Sequence, residues 1–305
     1  MTEPGYDVAV IGGGAAGLSA ALVLGRARRR VAVIDTGAPR NAPAEHMHGY
    51  LSRDGLPPAD LLSHGRRELA RYGVDVISGD AVDVSQELGV TLAGGGTLSA
   101  RRVLLATGAV DVLPAIDGVR ERWGRDFLHC PSCHGWEVRD QPLGVVATVA
   151  GAAAHAQLLR HWSDDVVFFS HTHPATPDES ASLAARGIEV VDGLVKRLVV
   201  ADDRLRGVEL ASGREIARAA LFMRPTVQLR GAQLIASLGC ELDPAGFIRT
   251  DQDGRTSVAG VWSAGNASNP RAQVITAAGE GSSAAISINN DLVEEDGLRA
   301  FVTAD

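Results

Sequence analysis

The sequence predicts an α/β fold of two doubly wound domains, and three stretches of the chain carry that reading. Near the start, the apolar run Asp7-Val8-Ala9-Val10-Ile11 has the β-branched bias of a buried strand and passes into Gly12-Gly13-Gly14-Ala15-Ala16-Gly17 and a helical Leu18–Leu24. A second buried-strand signal at 144–150 is followed by Gly151, a helix through His161 and a further strand at Val166–Phe169, which repeats the first unit in outline. From Arg218 the pattern returns to short strands and closes on Ser263-Ala264-Gly265-Asn266 and a helix of small residues reaching Ile288.

Taken in order, the first unit spells G-x-G-x-x-G in the place where that motif has a function. Gly12 permits a tight turn, Gly14 lets the backbone approach a pyrophosphate, and Gly17 allows close helix packing, while the helix start next to Ala15 and Ala16 faces the negative charge. The strand Val31-Ala32-Val33-Ile34 ends in Asp35, where an acid would meet a ribose hydroxyl. The polar loop that follows, with Arg40, Asn41, His46 and His48, is long enough to wrap a ligand. Pro58 to Tyr72 has the spacing of an amphipathic helix whose basic cluster, Arg66, Arg67 and Arg71, is expected on a solvated face. Short strands at 74–77, 90–92 and 102–105 lead to Ala106-Thr107-Gly108, a turn of small residues where the backbone could again approach a cofactor.

Pro114 to Gly118 is expected to cross between domains, so that 1–113 and 218–305 form one domain around an inserted 114–217. In the insert, only Gly151 stands where a glycine motif belongs, and the strand end Ser170-His171-Thr172-His173 supplies neither an acid for a ribose nor an arginine for a 2′-phosphate. Strands are also expected at 220–223, 247–249 and 258–262.

The insert carries Cys130-Pro131-Ser132-Cys133-His134. Two thiols at this spacing close a small disulfide that opens to an attacking thiolate. The same letters spell a c-type haem attachment motif and half of a zinc ribbon. Haem attachment normally needs export, and the start, Met1-Thr2-Glu3-Pro4-Gly5-Tyr6-Asp7, is acidic, unlike an export leader. Zinc wants four ligands, and the third and last cysteine, Cys240, is unpaired and best read as a small core residue. No metal is therefore expected. His134 suits a general base for a thiol, with His129 as understudy.

The net charge, 29 − 37 = −8, argues against nucleic acid or an anionic membrane as the main partner, and no apolar run reaches membrane-spanning length. With few cysteines, a cytoplasmic protein with a catalytic C-x-x-C is expected.

These positions resemble the low-molecular-weight thioredoxin reductase family over nearly the whole chain. The resemblance rests on Gly12-x-Gly14-x-x-Gly17 with Asp35, on Ala106-Thr107-Gly108, on Cys130-x-x-Cys133, and on Ala264-Gly265-Asn266 with Ala272-Gln273-Val274. It implies two Rossmann-like, FAD/NAD(P)-binding domains of the three-layer ββα kind and a homodimer. It places Gly12, Gly14, Gly17 and Asp35 on the ADP half of FAD, and Gly265, Gln273 and Val274 along the ribityl chain and flavin ring. The departures point further. His134 stands where the family has Asp, Asn266 replaces the usual Asp, and the second glycine motif and its arginine cluster are eroded. In this the chain is similar to the flavin-dependent dithiol oxidases that close disulfides in small natural products such as holomycin, gliotoxin and romidepsin. By that resemblance a small-molecule dithiol attacks Cys130, the more exposed sulfur, and electrons pass through Cys133 to FAD and on to O2, giving H2O2. Two alternatives stay open: an NADPH- or ferredoxin-dependent reductase of thioredoxin or a small disulfide, and a flavin-dependent redox sensor.

Overall fold

The computed structural model describes residues 5–302, so the acidic start at 1–4 lies outside the described residues. Two compact units are formed. One runs through Ala42, with Pro58–Val110 and the chain from Val227 on; the other comprises Pro43–Pro57 and Asp111–Thr226. By compactness, residues 43–57 therefore go with the second unit, and the return to the first comes at Val227 instead of 218.

The first unit opens with β1 (Tyr6–Ile11), α1 (Ala15–Arg26), β2 (Val31–Asp35), α2 (Pro58–Ala70), β3 (Asp75–Ser78), β4 (Ala81–Val84), β5 (Gly89–Leu92), β6 (Thr97–Leu105) and β7 (Ala109–Val112). β1 lies between β2 and β6, parallel to both, with Ala9 opposite Ala32 on one side and Val103 on the other. Both of its faces are covered, which is why the strand reads as a continuous apolar run and not an alternating one. Gly12 leaves β1 at φ +112, and the Ala106 carbonyl occupies the place a side chain would need. α2 ends at Ala70, two residues short of the expected end.

The second unit continues with α3 (Val119–Arg122), β8 (Phe127–Leu128), α4 (Pro131–His134), β9 (Leu143–Val146), α5 (Ala152–Leu159), β10 (Val166–Phe169) and α6 (Pro177–Ala185). Then come β11 (Glu189–Val191), β12 (Val195–Ala201), β13 (Arg204–Leu210), β14 (Glu215–Ala217), β15 (Ala220–Phe222) and β16 (Thr226–Leu229). β11-β10-β9-β15-β8 form one parallel sheet and β12-β13-β14 an antiparallel meander. α6 begins in a capping box, Thr176 with Glu179, a signal legible in Thr176-x-x-Glu179. β7 and β16, which pair with each other, hold the points where the chain passes between the units.

The chain returns through α7 (Ala232–Leu238), β17 (Val261–Ser263) and α8 (Val274–Val302). β17 adds to β6 in parallel, so the first unit too has a parallel sheet, β3-β2-β1-β6-β17, beside an antiparallel β4-β5-β6 layer. No strand forms at Phe247–Arg249. There Asp243 Oδ1 accepts from the Ala245 and Phe247 amides, and this turn leaves Leu242 and Ile248 a single isolated bridge. α8 runs well past Ile288, because its charged second half is tied down: Asp291 pairs with Arg102 at 2.6 Å and Asp296 with Arg29 at 2.8 Å. Its buried stripe, Ala278, Gly281, Ala285, Ile288 and Leu292, has helical spacing, and among the described residues no helix is long and apolar enough to cross a membrane.

Where α8 crosses α1, Gly281 sits against the Ala16 carbonyl with no room for a side chain, whereas Gly279 faces open space. Gly281→Ala is expected to lower stability in denaturant unfolding by about 1–3 kcal/mol, and Gly279→Ala to leave it level or slightly raised.

Candidate active site

In the first unit the loop after β1 leaves polar groups open. No atom lies within 4 Å of the place where a side chain on Gly14 would stand, and α1 starts at that residue without a side-chain cap, so its first backbone N–H groups have no cap to meet. Asp35 accepts the Gly13 amide at 3.1 Å and the Arg66 guanidinium at 2.7 Å. Arg66 is thus turned to the loop and not merely solvated, as the helix pattern suggested. The Thr107 hydroxyl is buried with no hydrogen-bond partner, beside Gly108. Farther along, Gly265 N–H donates to Glu280 at 2.9 Å, and the same carboxylate accepts from the Asn269 amide at 2.7 Å. Asn266 donates to the Asn269 and Ala272 carbonyls and accepts from Arg40 at 3.2 Å, which joins three expected residues, Arg40, Asn266 and Ala272. Asn41 follows Arg40 in the loop, and Gln273 and Val274 lead into α8. Nothing in the sequence pattern singled out Glu280.

In the second unit Cys130 caps a one-turn helix, α4, with Pro131 at its first position. A single turn carries only a small part of a full helix dipole. Cys130 and Cys133 are joined as a disulfide with Cα atoms 5.2 Å apart, and the Cys130 carbonyl accepts from the Cys133 and His134 amides, each at 3.1 Å. His134 is held neutral by its surroundings: burial lowers its pKa below the ordinary 6.5, Glu137 works against that, and His48 adds to it. His48, expected among the cofactor residues, lies in the second unit edge-on to His134, with ring centroids 6.2 Å apart. Its Nε2 is 3.4 Å from Glu137 and its Nδ1 is 3.5 Å from Asp54.

Behind the motif, on α5, His155 is 9% exposed and its Nε2 has no partner. Burial pushes its pKa down to about 4, with His129 and Arg224 pushing the same way and a hydrogen bond to the His129 backbone opposing them. No motif marked this residue.

At the carboxyl ends of the second sheet the furniture differs from that of the first. Gly151, with φ +80, caps α5, and the Arg224 guanidinium fills the space beside it, 3.5 Å from its carbonyl. Past the end of β10, Ser170 donates to Asp192 at 2.7 Å, and His171 Nδ1 accepts the Val195 amide at 3.1 Å. Burial lowers the His171 pKa, so this imidazole is a poor partner for a phosphate. Lys196 is committed to Glu209 at 3.0 Å. His171, Val195 and Lys196 line a cavity of about 560 Å³ whose walls are mainly apolar, with Val149, Leu194 and Met223 among them.

Residues 6–281 match the pyridine nucleotide-disulphide oxidoreductase family. The chain belongs to this family. It is 34% identical to the thioredoxin reductase sirT of Leptosphaeria maculans over 93% of each chain. The crystal structure of HlmI superposes with a TM-score of 0.95 at 54% identity, covering 98% of this chain and 96% of that one. A putative thioredoxin reductase TrxB from Bacillus anthracis gives 0.91 at 35% identity, over 95% and 99%. The protein is a flavin-dependent thiol–disulfide oxidoreductase of thioredoxin reductase fold that binds FAD. The open glycine loop, the uncapped helix start and the unpartnered Thr107 hydroxyl fit that cofactor.

His155 makes stability pH-dependent. Its folded pKa, about 4, lies below its unfolded value near 6.5, so between these values the unfolded chain binds more protons and stability rises with pH. Lowering the pH from about 7 to 4 is expected to remove up to about 3 kcal/mol in the parent, and His155→Gln to flatten that part of the unfolding-versus-pH curve.

Proposed function

We propose that the protein is an FAD-dependent dithiol oxidase that closes an intramolecular disulfide in a small-molecule dithiol, a natural product by resemblance. The observation that carries this reading is the contrast between an intact Cys130–Cys133–His134 turn and a second nucleotide fold in which a single glycine, Gly151, stands at the start of α5 and the strand end after β10 carries Ser170 and His171, bonded to Asp192 and the Val195 amide, in place of an acid or an arginine. We assign Gly12, Gly14, Ala15, Ala16, Gly17 and Asp35 to the ADP half of FAD, with Arg40, Asn41, Thr107, Gly108, Gly265, Asn266, Ala272, Gln273 and Val274 along the rest of it. When bound, FAD supplies a two-electron acceptor that O2 can reoxidise, with H2O2 as the product.

The chain's own groups perform the exchange. His134, held neutral, takes the proton of the first substrate thiol, and that thiolate attacks Cys130, so Cys133 leaves as thiolate. The second substrate thiol loses its proton and attacks the sulfur bound to Cys130, which leaves and is reprotonated. The substrate gains an S–S bond, the enzyme loses one, and two electrons rest on the cysteine pair. Cys133 thiolate and one released proton complete the balance.

A cytoplasmic homodimer is the setting we propose, on resemblance and on the low cysteine count. The second reading, a reductase fed by NADPH or ferredoxin, draws support from Arg224, a cation beside the start of α5.

With dithiothreitol as substrate, the purified flavoprotein is expected to consume O2. Cys130→Ser and Cys133→Ser should each lower that rate at least about 1,000-fold and His134→Gln about 100-fold. The acid limb of the parent's rate profile should lie below pH 6.5, because a base with a lowered pKa is lost only at more acidic pH, and it should vanish in His134→Gln. Oxygen uptake that is indifferent to the cysteines would defeat the reading.

A further inference from the structure

Glu280 stands in the second turn of α8, and two donors meet its carboxylate: Oε2 accepts the Gly265 amide at 2.9 Å and Oε1 the Asn269 side-chain amide at 2.7 Å. The Asn269 side chain is fixed in this sense, because its own oxygen accepts the Arg271 amide at 3.3 Å. Two donors need two acceptors on one side chain, and at this length only a carboxylate offers them; a glutamine would set an NH2 group against one of the N–H groups. The backbone beside these groups is packed to contact. Gly265 lies so close to the first turn of α1 that a Cβ on it would stand 3.0 Å from the Ala16 Cβ, and Gly281, next to Glu280, lies against the Ala16 carbonyl. From Asn269 the network continues: its carbonyl and that of Ala272 accept from Asn266, whose oxygen accepts from Arg40. Two stretches far apart in sequence, the start of α1 and the segment 265–273, thus meet where Glu280 and Gly281 sit.

We propose that Glu280 is a positioning residue of the FAD site, holding the segment 265–273 against the first turn of α1 through the Gly265 amide and Asn269. The proposal rests on the assignment of Gly265, Asn266, Ala272, Gln273 and Val274 to FAD. The segment has one short 3-10 turn of regular structure, Gly265–Ala267, so side-chain bonds carry much of its order. The Gly265 N–H is engaged by the protein's own carboxylate, and the part left to this glycine is close backbone approach at φ +73. Glu280 acts on the cofactor only through this segment, so its loss is read in how long FAD is retained and not in the exchange chemistry of the cysteines.

The test follows the rise of free-flavin fluorescence when holoenzyme is diluted, with the unfolding temperature as a control for folding. Glu280→Gln should release FAD about 10–100-fold faster than the parent, as expected when a charge-assisted hydrogen bond is lost and one N–H is left facing a donor. Asn269→Asp alone should also release it faster, since two carboxylates then face each other. The double variant Glu280→Gln/Asn269→Asp restores both bonds with donor and acceptor exchanged. It should return to within about threefold of the parent, a rescue that a merely space-filling role for Glu280 would not produce. Release at the parent rate in folded Glu280→Gln, or a double variant no slower than the single ones, would overturn the proposal. Should Glu280→Gln be purified without flavin, the double variant decides alone: parent-like retention supports the proposal and loss of flavin counts against it. Hydrogen exchange in the parent separates the proposal from the assignment beneath it. Amides at 265–274 that exchange more slowly with FAD bound than after its removal uphold the assignment, and a parent-like Glu280→Gln then defeats the positioning role alone; no difference at 265–274 removes both.

Discussion

A parallel sheet covered on both faces leaves its carboxyl edge as the place where backbone and ligand can meet, and each unit of this protein is built on such a sheet. The constraint acts twice with different outcomes. In the first unit the edge carries an open glycine loop, an uncapped helix start and a buried hydroxyl with no partner. In the second, the groups at that edge bond one another, Ser170 with Asp192, His171 with the Val195 amide and Lys196 with Glu209, and an exposed Arg224 lies beside Gly151. In the function we propose, one fold, used twice, holds a cofactor in one copy and presents the cysteine turn in the other.

At that turn, burial works on the residue we propose as the base, and it favours the uncharged ring. His134 pays no ion-pairing debt to stay neutral: desolvation and His48 favour the neutral ring and only Glu137 resists. A neutral imidazole beside a disulfide accepts a proton from an incoming thiol, which is the direction an oxidase needs. Burial raises the thiol pKa of Cys240, the one free cysteine, and this keeps it inert as a nucleophile.

Much of this was legible in the sequence, where local rules govern. The run Val8–Ile11 into Gly12-x-Gly14-x-x-Gly17 announced a buried strand and a phosphate turn, and Val166–Phe169 appears within its expected bounds. Pairing across the chain was not legible. Arg66 reaches Asp35 over 31 residues and His48 faces His134 over 86 positions (134 − 48 = 86), and no periodicity encodes either. His155 looked like any helix residue, because its burial comes from packing against β15 and the His129 segment. The false strand at Phe247–Arg249 shows the converse: a β-like composition lost to a turn that Asp243 organises from outside the run.

The central claim is that electrons enter through the cysteine pair from a dithiol and not from a nicotinamide. Its most direct measurement is anaerobic stopped-flow bleaching of the bound flavin by dithiothreitol and, separately, by NADPH. The account predicts rapid bleaching by the dithiol, lost in Cys133→Ser, and none by NADPH on the timescale of turnover. Rapid bleaching by NADPH, with the dithiol slow, would contradict it.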